Sequence, residues 1–157
     1  MGTELERRLQ ALPGLRDLYT LWHGKCVDGT LPSWRDFDVL ELQQWLGYLN
    51  VVDVAGDPFD FHYRIFGSEL TAAIGDELTG RRYRESLRNA LADEIAESYR
   101  TVHGDPQPVL IRHRQPAWHG KPISFDRLLL PMRSDDDGAT RIVLVGAYVS
   151  STSEPQL

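Results

Sequence analysis

Arg64 carries the least ordinary chemistry in this chain. It stands in Phe61-His62-Tyr63-Arg64-Ile65-Phe66, a segment that alternates as a strand. Alternation puts Arg64 on one face with His62 and Phe66, and Phe61, Tyr63 and Ile65 on the other. A guanidinium fork suits bidentate recognition of a carboxylate. Arg64 therefore reads in two ways: as the anchor of an anionic ligand, or as an edge-strand arginine paired with Asp53 or Asp126. Tyr63, Tyr83, Tyr99 and Phe125 are its candidate companions in a ligand pocket, with Trp22, Trp45 and Trp118 as further aromatics. Core and helix-to-sheet packing use the same residue types, and account for most of them more economically.

Other reactive side chains have less support. His103, His113 and His119 match no compact metal-ligand spacing, and His113 and His119 fall on and beside an edge strand, where surface placement is expected. Ser68 has the local look of a helix cap, and Ser124 lies in a strand with no histidine partner evident from spacing, so no nucleophile constellation emerges. Cys26 lies in an N-terminal loop beside Lys25, a weak reason for a depressed thiol pKa, and reads as an inert, half-buried residue.

The elements that must position these groups follow from periodicity. Leu5, Leu9 and Leu12 recur at helical spacing until Pro13-Gly14; Leu15, Leu18, Tyr19 and Trp22 then form an apolar stripe that ends near Gly24. Asp38 and Glu41 resemble a capping box opening a second helix whose apolar face is Val39, Leu42, Trp45 and Leu46. Residues 49–54 and 59–66 read as a hairpin around Ala55-Gly-Asp-Pro58. Ser68 and Gly75 bracket a short helix, and Leu87, Leu91, Ile95 and Tyr99 or Val102 define a longer one that fades at His103-Gly104. Strands over 109–114, 123–132 and 141–149 complete a meander, leaving a tail over 151–157 expected to be disordered. The nearly unbroken apolar strands over 142–149 and 49–54 should be central, and the alternating and Pro-bearing ones should be edges. An α+β fold follows: a five-stranded antiparallel sheet in the order 2-1-5-4-3, with helices between strands 2 and 3.

The composition fits one domain. The chain has 157 residues, 41% hydrophobic and 25% charged, enough for a single core. A net charge of −6 disfavours a phosphate-driven nucleic-acid interface, so no nucleic-acid partner is expected. No apolar run approaches the roughly 20 residues of a membrane helix, no secretory leader opens the chain, and one cysteine excludes an intrachain disulfide; a cytoplasmic setting without membrane attachment is the expectation.

Element order and motif together identify a family. Tyr63-Arg64-x-x-Gly67, Gly75, Leu78-Thr79-Gly80-Arg81 and Leu128-Leu-Leu-Pro131, with Trp22, Leu31-Pro32, Asp38 and Asp53, resemble a PAS domain, and more narrowly the short stand-alone PAS-like proteins common in alphaproteobacteria. Trp34 beside Arg35, and Val39 after Asp38, depart from the small residue and proline of that pattern. The resemblance implies a core over 49–150 behind an N-terminal helical extension over 1–48. It also implies a bacterial, non-enzymatic sensor or interaction module that clasps a small ligand or a partner protein between sheet and helices. A homodimer through Leu15, Leu18, Tyr19 and Trp22 is expected, with output passed in trans to an effector protein, since one domain leaves no room for a kinase, cyclase or DNA-binding segment. Haem and flavin, both known PAS cofactors, lack support: the helical stretch offers no histidine before His103, and Cys26 precedes the core instead of following strand 2. Two other readings stand beside this one. One is a PAS domain with a collapsed, ligandless cavity; the other is a cone-shaped SnoaL-like isomerase or cyclase, which needs an inward Asp-His pair that alternation does not supply here.

Overall fold

The computed structural model describes residues 3–56, 59–68, 79–80, 90–118, 121–133 and 140–151. Helix α1 (Glu4–Leu9) starts on a reciprocal cap: the Glu6 amide donates to Thr3 Oγ1 at 3.1 Å and the Thr3 amide to Glu6 Oε1 at 3.3 Å. Pro13 then opens helix α2 (Pro13–Lys25), where its missing N–H is one the first turn would leave unbonded anyway. The stripe Leu15, Leu18 and Trp22 is buried to 4% exposure or less. Its anchor is the Trp22 indole, which donates to the Pro131 carbonyl at 2.9 Å. These three side chains are buried against the chain's own sheet, and of the four residues expected at a dimer contact Tyr19 keeps part of its surface exposed.

The capping pair at Asp38 forms, with Asp38 N–H on Glu41 Oε2 and Leu40 N–H on Asp38 Oδ1, both at 2.9 Å. It opens tight turns and a 3-10 helix (Gln43–Tyr48) where an α-helix was expected. Bonds run from residue i+3 to i through Glu41, Leu42, Gln43 and Trp45. Leu42 and Trp45, three residues apart, are buried side by side, whereas Val39, before the 3-10 helix begins, and Leu46 stay exposed. The Trp45 indole locks this turn to α2 by donating to the Gly14 carbonyl at 3.0 Å.

Strands β1 (Leu49–Gly56), β2 (Phe59–Phe66), β3 (Val109–Trp118), β4 (Lys121–Met132) and β5 (Thr140–Ser151) form one antiparallel sheet ordered β2-β1-β5-β4-β3. Helix α3 (Ala90–Gly104) precedes β3. The sheet separates two cores. On its outer face Leu49, Val51, Leu110, Leu128, Leu130 and Met132 meet α1, α2 and the 3-10 turn. On its inner face Val52, Val54, Phe61, Tyr63 and Leu129 meet Ala96, Tyr99 and Val102 of α3.

Strand β2 does not alternate throughout. The β1 partner steps from Ile65 to Tyr63 between Val51 and Val52, so Arg64 is the extra residue of a β-bulge. Beyond the bulge Ile65 turns to the outer core, while Phe61 and Tyr63 stay on the inner one. The expectation that all three share a face is corrected on this ground. Just past β2, Gly67 lies so close to the 3-10 turn that a Cβ there would sit 2.3 Å from the Gly47 carbonyl oxygen. Gly80, at φ +82°, donates its N–H to the Tyr63 carbonyl at 2.7 Å.

Candidate functional site

The inner face of the sheet buries a polar cluster beneath α3. Residues of β3 and β4 alternate, so Val109, Ile111 and His113 point inward with Phe125, Arg127 and Leu129. Arg127 is 2% exposed. Its Nη1 donates to Ser98 Oγ of α3 at 3.2 Å and to His113 Nε2 of β3 at 2.8 Å. A guanidinium only donates, so His113 must accept at Nε2 and carry its proton on Nδ1, which faces Glu94 Oε2 at 3.1 Å. His113 is thereby held neutral between an exposed carboxylate and a buried cation, and its pKa falls below the ordinary imidazole value. Burial is the main cause and the Arg127 charge the second; Glu94 and Asp126 oppose them.

The aromatic residues complete the cluster. The Arg127 guanidinium carbon lies 5.3 Å from the centre of the Tyr99 ring. Tyr99 meets Phe61 edge-on at 4.7 Å, and Phe61 meets Tyr63 edge-on at 5.6 Å. The Tyr63 phenol is pushed well above its usual pKa, first by burial and then by the neighbouring Tyr99. The Tyr99 hydroxyl lies beside it without a hydrogen bond of ordinary geometry. Phe125 stacks obliquely on His113 at 5.2 Å.

Two polar atoms of this cluster are buried and unbonded among the described residues: Arg127 Nη2 and the Tyr99 hydroxyl. An arginine cannot shed its proton to escape burial, and an isolated charge costs several kcal/mol there. The acid next to it in sequence does not help. Asp126 lies on the outer face, held by the fork of its cross-strand neighbour Arg112 at 2.9 and 3.0 Å. An open groove of about 390 Å³ runs between α3 and β3, lined by Val109, Ile111, Ser98 and His113 among others. Ser98 and His113 both touch Arg127, so the groove stops one side-chain layer short of the guanidinium.

Of the residues singled out from the sequence, Tyr63, Tyr99 and Phe125 meet on this inner face. Arg64 does not join them. It bonds Asp53 through both arms of its fork, at 3.2 and 2.9 Å, on a part-exposed surface with His62 alongside. Tyr83 and the helix expected from Ser68 to Gly75 lie outside the described residues, Ser68 excepted. His113, expected at the surface, is 3% exposed because the 109–111–113 alternation carries it inward. Arg127 was missed; the available signal was a charge at the position between Phe125 and Leu129, its apolar neighbours on the same strand face. Among the described residues, no three His, Cys, Asp or Glu side chains converge as a metal site would require, and no helix is long and apolar enough to cross a membrane.

Comparisons with known proteins agree with this architecture. A PAS domain family profile matches residues 11–149. Among solved structures, the PAS domain of Bordetella pertussis BvgS superposes with a TM-score of 0.50 at 17% identity, covering 76% of this chain and 90% of that one. That likeness speaks for the fold alone. No curated protein matches this chain. With the profile spanning most of its length, the chain belongs to the PAS domain family, whose members are signalling and sensory modules.

Proposed function

We propose that this chain is a non-enzymatic PAS sensor of the bacterial cytoplasm. It binds a small ligand at the inner face of its sheet and reports occupancy in trans to a partner protein. One observation carries the reading: a charged, polar cluster is buried where an apolar core would be more stable. Binding there acts on α3, because Ser98 and Tyr99 of that helix both contact Arg127. A ligand that binds better with α3 in one position shifts the helix by as much as its affinities for the two positions differ. Reaction chemistry has little footing here. The inward histidine pairs with an exposed Glu94 and a cation, whereas the isomerase reading asks for a buried acid.

The tight Tyr99–Phe61 contact favours a second reading, in which side chains fill the inner face and the domain binds partner proteins only. Native mass spectrometry of the protein as purified, with its visible absorption spectrum, separates the two. The sensor reading expects a noncovalent small-molecule adduct and no haem or flavin band. A bare protomer mass under every gentle condition would leave the partner-binding reading in its place.

A further inference from the structure

We infer that Arg127 is an anion receptor: the ligand is a small carboxylate with an apolar, aromatic-sized body, seated against Arg127 Nη2 and the Tyr99 hydroxyl. This rests on the sensor reading above and names the chemistry of its ligand. Among the described residues three buried side-chain polar atoms lack a partner, and two of them are these donors. Both belong to residues at least 98% buried, so water does not serve them as it would at the surface. A carboxylate supplies what both lack, an acceptor with spare lone pairs, and brings the counter-charge that no acid among the described residues gives Arg127.

The rest of the guanidinium is already held. Nη1 is fixed by Ser98 and His113, and the Ser98 hydroxyl is itself tied to the Ile95 carbonyl at 2.6 Å. The fork is therefore oriented before a ligand arrives, which lowers the ordering cost of binding. Phe61, Tyr63, Tyr99 and Phe125 pack around this cluster, so an apolar body suits it better than a hydrated one. The groove beside His113 gives the approach. Its two acids bar an anion only weakly, since Glu97 is paired with Arg100 at 2.7 Å and the Glu94 carboxylate is 60% exposed and screened by water.

The test uses the full chain with benzoate and its neutral isostere benzamide, read by thermal melting and titration calorimetry. Benzoate at about ten times its Kd should raise Tm by about 3–6 °C. Benzamide should bind at least about tenfold more weakly, because it lacks the charge. Arg127→Met should abolish the benzoate response, and Arg127→Lys, which keeps the charge but loses the fork, should bind with intermediate affinity. If the Met variant fails to fold, the Lys variant alone carries the comparison. Equal binding of benzoate and benzamide, or a benzoate response unchanged in both variants, would overturn the anion receptor while leaving a ligand-binding cavity. Silence from both probes together with a bare native mass would overturn the receptor and the sensor reading alike.

Discussion

Replacing Gly67 by alanine tests how the functional face is joined to the rest of the molecule. Gly67 follows β2 directly and backs onto the 3-10 turn that leads into β1. A Cβ there would lie 2.3 Å from the Gly47 carbonyl oxygen, 2.6 Å from its carbon and 2.9 Å from the Leu46 oxygen. All three are backbone atoms, so no rotamer change relieves the clash; the two segments must part by roughly 1 Å to restore normal contact. Parting them pulls on Trp45, whose indole bonds the Gly14 carbonyl, and on the paired ends of β1 and β2. Overpacking typically costs about 1–3 kcal/mol, and a backbone-to-backbone clash belongs at the upper end, about 3 kcal/mol. For a domain of this size that is a Tm drop of roughly 6–12 °C. Urea melts followed by circular dichroism should show a lower midpoint with the m-value unchanged. A Gly67→Ala protein within about 0.5 kcal/mol of wild type would refute this packing of the junction.

Two further outcomes are expected. Arg64→Ala should cost less than about 1 kcal/mol, since its pair with Asp53 is part-exposed, and should leave benzoate affinity unchanged; loss of binding with stability retained would restore Arg64 as the ligand anchor. His113 has a folded pKa below its unfolded value, so its contribution is fully present above about pH 6.5 and is lost as pH falls toward the folded pKa. Wild-type stability should therefore slope by up to about 1.4 kcal/mol per pH unit in that window, and His113→Gln should flatten it; parallel slopes would contradict a buried neutral imidazole held between Glu94 and Arg127, with the Asp126 charge acting from the far face of the sheet.

Much of the scaffold was legible because it rests on local pattern. The α2 stripe, the hairpin of β1 and β2 and the Asp38–Glu41 cap all declare themselves within a few residues. What escaped depends on tertiary context. The cap at Asp38 is the same whether an α- or a 3-10 helix follows, and it is packing of Leu42 and Trp45 that selects the tighter turn. The bulge at Arg64 inserts one residue without any glycine to mark it, so it reverses the facing of Ile65 silently. Of the residues that meet on the inner face, Tyr63, Tyr99 and Phe125 were singled out from the sequence, whereas the cation singled out was Arg64 on β2 and not Arg127. Arg64 and Arg127 are both strand arginines, and only the fold shows that Asp53 answers the first and no described acid answers the second.

If the charge of Arg127 is kept for a ligand, the empty protein gains little from it. Urea denaturation of Arg127→Met, compared with wild type in ligand-free buffer, measures this directly. Stability within about 1 kcal/mol of wild type, or higher, is the predicted result, since a thioether of similar reach replaces an uncompensated cation. A loss of about 3 kcal/mol or more would mean that the guanidinium is a structural strut between α3, β3 and β4, and would contradict the account.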